Sequence, residues 1–150
     1  MKSIKTLVSV AFAALTLSLT GCSKDPEDLI IGDWEMTSIV WTLSSSESPE
    51  PWSETITPNE GESTVFTFNK DNTMVMVDVT AEGTDTQSGT YKVDDDKLSM
   101  TYVDEDGDTV TDTYTIDKID KKSMTISESA SATEDGVTYS ESVVVNFTRK

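Results

Sequence analysis

Beyond residue 30, apolar residues recur at every second position in short runs of the chain. Phe66 and Phe68 are separated by one polar residue, and Val143, Val145 and Phe147 follow the same spacing. Val, Ile, Thr, Tyr and Phe are frequent in these runs, and no segment shows the 3.6-residue period of an amphipathic helix. The pattern predicts eight β-strands, at residues 32–42, 63–69, 73–80, 89–93, 97–103, 109–119, 123–129 and 137–149.

Short turns join most of these predicted strands. Asp106-Gly107 is a strong hairpin signal, and Asp135-Gly136 precedes the last strand. Tight turns permit only antiparallel pairing, since parallel strands need long crossovers. Eight strands in up-and-down order close into a barrel that has no exposed edge and leaves room for side chains or one small ligand. We therefore predict an all-β domain over residues 30–150, an eight-stranded antiparallel up-and-down barrel, with a two-sheet sandwich as the alternative.

The connection between the first two predicted strands is long. Residues 43–62 are rich in Ser, Pro and Glu and include Trp52. Loops of this length are usually functional or disordered. The segment is therefore either a lid across the barrel mouth, anchored by Trp52, or a mobile polar loop whose tryptophan packs on the rim.

The N-terminus has the order of a secretory signal peptide. Lys2 and Lys5 precede an almost continuous apolar run from Leu7 to Leu19. This run is shorter than the roughly 20 residues of a membrane-spanning helix. The sequence predicts a signal peptide over residues 1–21 that is cleaved on export.

The end of this leader resembles a bacterial lipobox, formed by Leu19, Thr20, Gly21 and Cys22. The resemblance implies that Cys22 carries lipid and becomes the first residue of the mature chain, so that the protein contacts a membrane through its lipid anchor. Cys22 is also the single cysteine, so the domain has no internal disulfide and depends on its own core.

Residues 22–29 are predicted to form a short lipid-anchored tether, because they are polar and include Pro26. Lys24 followed by acidic residues resembles the surface-export signal of Bacteroidetes lipoproteins, and a plain linker is the alternative. The expected location is the outer membrane, with exposure on the cell surface if the export signal is genuine.

The mature chain is strongly acidic. The leader holds two of the 11 basic residues and none of the 28 acidic ones, which leaves nine basic residues and a net charge of −19. Such a charge disfavours nucleic acid and anionic lipid as partners. The acidity serves either solubility or a specific cationic partner, and the sequence indicates no particular protein partner.

The sequence lacks the residues and motifs of several common catalytic systems, although its 28 carboxylates leave carboxylate-pair hydrolysis open. The chain contains no histidine, which excludes Ser-His and Cys-His nucleophile systems and histidine metal ligands. No phosphate loop, dinucleotide fingerprint or Gly-x-Ser-x-Gly motif occurs. We therefore predict a protein that is not an enzyme and that needs no cofactor and no metal.

Three smaller features each have two interpretations. The acidic segments 94–96 and 104–108 suit either calcium or hairpin turns, and the turns are favoured. Five methionines on the predicted strands either line an adaptable pocket or fill the core. Thr109, within Asp108-Thr109-Val110, matches a short O-glycosylation motif of Bacteroidetes, with a chance match as the alternative.

Several motifs in order resemble one known family. Gly32-Asp33-Trp34 opens the first predicted strand, and Phe147-Thr148-Arg149 ends the last. Between these two motifs lie three further segments that contribute to the resemblance, residues 66–73, 89–93 and 114–119. Over nearly all of residues 30–150 the chain resembles the lipocalin-like domain of small Bacteroidetes lipoproteins.

The resemblance implies that Gly32 and Trp34 close one end of the barrel, with the Arg149 guanidinium stacked over the indole of Trp34. It also implies that the barrel binds a small, largely apolar ligand. The alternative is a non-catalytic envelope or interaction module whose barrel is filled by its own side chains. Classical lipocalins carry a helix between the last strands and the C-terminus, and the sequence predicts no such helix after its eighth strand, so the size of the cavity stays open.

Overall fold

A computed structural model describes residues 25–48 and 50–150 of the protein. These residues form one short helix and nine strands that belong to a single antiparallel sheet. The elements are α1 (Pro26–Ile30), β1 (Gly32–Ser45), β2 (Trp52–Ile56), β3 (Ser63–Phe68), β4 (Thr73–Thr80), β5 (Gly83–Asp94), β6 (Lys97–Val103), β7 (Thr109–Ile119), β8 (Ser123–Glu134) and β9 (Val137–Arg149).

The sheet closes into a barrel because the first and last strands pair. β1 pairs with β9 from Trp34 opposite Arg149 to Ser45 opposite Tyr139. β1 also pairs with β3, and from β3 to β9 each strand pairs with the next one along the chain. β1 and β3 to β9 are the eight strands of this barrel. The predicted all-β fold, an eight-stranded antiparallel up-and-down barrel, is confirmed, and the sandwich alternative is wrong.

The ninth strand, β2, lies within the segment predicted to be a loop. β2 pairs with the later part of β1, where Ile56 lies opposite Ile39 and Trp52 opposite Leu43. The loop prediction for residues 43–62 was therefore wrong for Trp52–Ile56. This strand is five residues long and fully exposed, and it forms because β1 offers a free edge there.

The helix α1 lies where the sequence predicted only a tether. Pro26 takes the first helical turn, where its missing N–H has no cost, and Ile30 is completely buried. The tether prediction was therefore wrong for residues 26–29, because burial of Ile30 makes this single turn part of the domain. We call the end of the barrel that α1 covers the closed end, and the opposite end the open end.

The buried core lies toward the closed end. Phe68 packs edge-to-face on Tyr91 with ring centroids 4.9 Å apart, and Phe66 packs in the same way on Phe147 at 5.6 Å. The buried residues of the core are Ile30, Trp34, Phe68, Met74, Tyr91, Leu98, Met100, Ile116, Met124, Ile126 and Phe147.

The barrel is hydrogen-bonded all the way round only near the closed end. β1 pairs with β3 over Gly32–Glu35 alone, and β7 pairs with β8 over Thr115–Ile119 alone. Beyond these short ladders the strands separate into two walls. One wall contains β8, β9, β1 and β2, and the other contains β3 to β7. The open end is therefore a cleft between two walls.

Candidate functional site

The closed end is sealed by residues from both ends of the domain. The Arg149 guanidinium carbon lies 4.2 Å from the centroid of the Trp34 ring, and Trp34 itself is fully buried. Arg149 Nη1 donates to the carbonyl of Ile31 at 2.8 Å, and Nη2 donates to that of Leu29. Trp34 Nε1 donates to the carbonyl of Ile30 at 2.6 Å. One tryptophan and one arginine thus satisfy three carbonyls around the end of α1.

Gly32 is part of the same arrangement. Its φ of +129° is a conformation that residues with a side chain rarely adopt. A Cβ at this position would lie 2.5 Å from Arg149 Nη1. The structure therefore brings Gly32, Trp34 and Arg149 together at one end of the barrel.

A cavity of about 400 Å³ lies between the two walls, on the open side of the core. Most of its lining is apolar, and three of the methionines, Met36, Met76 and Met100, contribute to it. Met74 and Met124 are buried in the core. Methionine therefore both lines the cavity and fills the core. The other lining residues are Ile39, Thr64, Phe66, Asp78, Tyr114, Ile126, Glu128, Val143, Val145 and Phe147.

Two carboxylates belong to this lining, and they come from opposite walls. Asp78 is on β4 and accepts a hydrogen bond from Thr64 Oγ1 at 2.7 Å. Glu128 is on β8, four strands away around the barrel in either direction. The cavity thus combines apolar walls with an acidic group on each side of its mouth.

A third carboxylate faces the same interior from β7. Asp112 lies opposite Met100 in the β6–β7 ladder, and residues opposite each other project from the same face of a sheet. Its Oδ2 accepts a hydrogen bond from Tyr102 Oη at 2.6 Å, which is the main reason that the pKa of Tyr102 rises to about 12. Burial, assisted by the charges of Asp112 and Glu128, raises the pKa of Tyr114. Both phenols are therefore neutral at neutral pH.

These three carboxylates were not among the predicted site residues. A signal for them exists in the sequence, because Asp78 follows Met74 and Met76 at two-residue spacing. Glu128 follows Met124 and Ile126 in the same way. An acidic residue in phase with core residues lies on the inner face of its strand. Glu141, two residues before Val143, shares this pattern.

Charge is divided along the barrel axis. The segments that run through the open half, residues 36–48, 50–66, 74–91, 98–116 and 124–148, contain 17 of the 28 acidic residues and no Lys or Arg. All eight Lys and Arg residues of the described chain lie at or near the closed end. The ion pairs found among the described residues are also there, namely Lys92–Asp94, Lys97–Asp96, Lys118–Asp120 and Lys150–Glu35.

Exposed aromatic side chains line the inner face of the wall formed by β8, β9, β1 and β2. Trp52 is 50% exposed and packs edge-on against Trp41, with ring centroids 6.0 Å apart. Leu43 and Tyr139 are also exposed on this face, since they continue the phase of Ile39. Trp52 therefore belongs to the sheet that forms the wall and not to a loop across the mouth, so the lid interpretation was wrong for this residue.

The acidic turns act as turns. Asp104 Oδ1 accepts hydrogen bonds from the amides of Asp106 at 3.1 Å and Asp108 at 2.8 Å, and Asp95 has a positive φ of 54°. Among residues 25–48 and 50–150 no group of three or more His, Cys, Asp or Glu is arranged to hold a metal ion. Thr109 is exposed at the start of β7.

Four of the predicted site residues, Leu19, Thr20, Gly21 and Cys22, lie outside the described residues, as does the rest of the predicted signal peptide. In the part of the chain that the structure covers, no helix combines the length and the apolar character needed to cross a bilayer.

A family model and one solved structure agree with this architecture. The lipocalin-like domain family matches residues 30–148. A lipocalin-like protein from Bacteroides uniformis is similar in structure, with a TM-score of 0.50 and 12% identity over 81% of this chain and 98% of that one. An uncharacterized protein from Bacteroides eggerthii gives a TM-score of 0.47 and 15% identity over 80% and 98% of the two chains. No curated protein matches the sequence. With its family match spanning almost the whole barrel, the chain belongs to the lipocalin-like domain family.

Proposed function

We propose that this protein is an exported lipoprotein, anchored in the outer membrane through lipid on Cys22, whose barrel binds one small, largely apolar molecule without catalysis. The observation that carries the proposal is the cavity of about 400 Å³ between the walls of the barrel. Its size is within the range of small-molecule sites, and a few polar groups among apolar walls are typical of such sites.

The division of the barrel supports binding over a purely structural role. The buried core and the Trp34–Arg149 contact stabilise the closed end. The open half is therefore free to stay unfilled. A ligand that buried about 200 Å² of apolar surface there would gain roughly 5 kcal/mol, from which the cost of ordering it is subtracted.

The position of the N-terminus suits an anchored binding protein. Asp25, the first described residue, is three residues beyond Cys22 and lies outside the barrel at its closed end, where α1 begins. Lipid on Cys22 would hold the closed end near the membrane. The open end, with its cavity, would then face away from the bilayer and stay accessible to ligand.

Binding is tested with a neutral apolar probe and a pair of matched variants. Decanol is titrated into the mature domain by calorimetry. Val143 lines the cavity, and Val144 is the next residue on the opposite face of β9. Val143→Phe should weaken decanol binding about tenfold or more by filling the space, and Val144→Phe should not change it. Absence of decanol binding, or equal effects of the two variants, would contradict the proposal.

Anchoring is tested separately in cells. Cys22→Ala should abolish incorporation of labelled fatty acid and move the protein out of the detergent-extracted membrane fraction, because the lipid is its only proposed contact with the membrane. A variant that stays acylated and membrane-bound would rule out the anchor at this residue.

A further inference from the structure

We infer that the ligand is a cationic amphiphile, with its apolar part in the cavity and its ammonium group between the carboxylates at the mouth. The inference rests on the proposed function, since it names the chemical class of ligand for the same cavity.

The position of the carboxylates is the first step. Asp78 and Glu128 line the cavity from walls that face each other, and Asp112 faces inward from the strand next to β8. A positively charged group that entered the cleft would therefore meet acidic oxygens on both sides. The apolar lining deeper in the barrel would contact the remainder of such a molecule.

The second step is that no ion pair of the described residues neutralises these carboxylates. Asp78 is hydrogen-bonded to the hydroxyl of Thr64, and Asp112 to that of Tyr102. These hydroxyls orient the carboxylates and leave their negative charge uncompensated. Every ion pair of the described residues involves a basic residue of the closed end, so none neutralises the mouth.

The inward direction of Asp78 and Glu128 favours a cationic ligand over the alternative that the acidic residues only keep the protein soluble. Carboxylates that only keep a protein soluble belong on outward-facing positions, where water solvates them fully. Asp78, which is half-buried, and Glu128, which is exposed at the mouth, instead lie on the inner face of the barrel beside an apolar cavity, where a nearby apolar wall strengthens their interaction with a charge. Their combined field attracts a cation and repels a fatty acid or another anionic amphiphile.

The test compares three probes that share one alkyl chain and differ in charge. Decylammonium, decanol and decanoate are titrated into the mature domain by calorimetry, at low salt and below the concentrations at which they form micelles. Decylammonium should bind at least about tenfold more tightly than decanol, and decanoate more weakly than decanol. The preference for decylammonium should shrink as salt is added, because ions screen charges at a partly open mouth.

Three variants assign the effect to the mouth. Glu128→Gln and Asp78→Asn remove one charge each and keep the shape of the side chain. Glu105→Gln makes the same change of charge on the exposed β6–β7 turn, outside the cavity lining. The first two should each lower decylammonium affinity several-fold and leave decanol affinity unchanged, and Glu105→Gln should change neither. Circular dichroism of each variant checks that the barrel is folded.

The outcomes distinguish this inference from the proposed function. If the three probes bind with equal affinity, or if Glu105→Gln has the same effect as Glu128→Gln, the inference is overturned and the apolar site stands. If neither decanol nor decylammonium binds the folded domain, the proposed function fails, and this inference with it.

Discussion

The two ends of the barrel are built from the same strands and differ in almost every physical property. At the closed end Trp34 and Leu98 are fully buried, strand pairing is complete, and basic residues form ion pairs with acidic ones. At the open end Trp41 and Trp52 are exposed, and the sheet divides into two walls. The strand segments there contain acidic residues but no Lys or Arg.

This contrast indicates how a small domain without disulfides combines stability with an open cavity. Burial of apolar surface contributes about 25 cal/mol per Å², so a compact layer of aromatic and aliphatic side chains can stabilise the whole barrel from one end. The other end then needs neither tight packing nor neutral charge. The exposed surface ion pairs add little to this stability, because water screens them.

The largest expected difference between the two ends is in the free energy of unfolding when a tryptophan of each end is replaced by alanine. Trp34→Ala should lower the free energy of unfolding by about 3–5 kcal/mol, since it removes a fully buried ring and its hydrogen bond to Ile30. Trp52→Ala should lower it by less than about 1 kcal/mol, because its ring is half exposed. Denaturant melts of both variants measure the difference. Equal losses would show that stability is not concentrated at the closed end.

A smaller effect is expected at the arginine that seals the closed end. Arg149→Ala should cost about 2 kcal/mol, from the loss of the contact with Trp34 and of two charged hydrogen bonds to carbonyls. Arg149→Lys should recover part of this, because it restores the charge without the planar fork. In the double variant with Trp34→Ala the loss should be smaller than the sum of the single losses. Strictly additive losses would contradict direct coupling of the two side chains.

The smallest effect is a titration at the open end. The hydrogen bond to Asp112 raises the pKa of Tyr102 to about 12, so the folded state holds this proton more tightly than the unfolded chain does. The stabilisation is complete below the ordinary tyrosine pKa of about 10 and is lost as the pH rises toward 12. Asp112→Asn should lower the pKa of Tyr102 toward its ordinary value, as followed by phenolate absorbance.

The control for this titration is Asp117→Asn, on an exposed position of the same strand. It should leave the ionisation of Tyr102 unchanged, because Asp117 makes no contact with that hydroxyl. A shift of equal size in both variants would attribute the raised pKa to the overall charge of the protein instead of the hydrogen bond.

The fold was predictable because strand pairing follows from local pattern. Two-residue spacing along β3, β6 and β9 and Asp-Gly turns specify both the strands and their antiparallel order. The ends of strands were less predictable. β8 extends to Glu134 and β5 begins at Gly83, through segments of Ser, Thr, Ala and acidic residues whose strand conformation depends on pairing with a neighbour.

The candidate site was predictable only in part. The motifs around Trp34 and Arg149 indicated the closure, because a short motif at each end of a barrel domain meets when the first and last strands pair. The cavity was not predictable, since its volume depends on how two walls separate beyond the β7–β8 ladder. The acidic mouth was overlooked for a related reason. Several acidic residues share the phase of the core, including the exposed Glu134 and Glu141, and only the arrangement of the walls decides that Asp78 and Glu128 line the cavity.

The sequence by itself determined the all-β class, the antiparallel order, the acidity and the absence of histidine chemistry, because each depends on residue types and on spacing along the chain. Only the tertiary structure decided that α1 packs under the barrel, that β2 adds to one wall, and that the open half holds a cavity with carboxylates on both sides. These features depend on distances between residues far apart in sequence, and the pattern of a single chain carries no direct record of such distances.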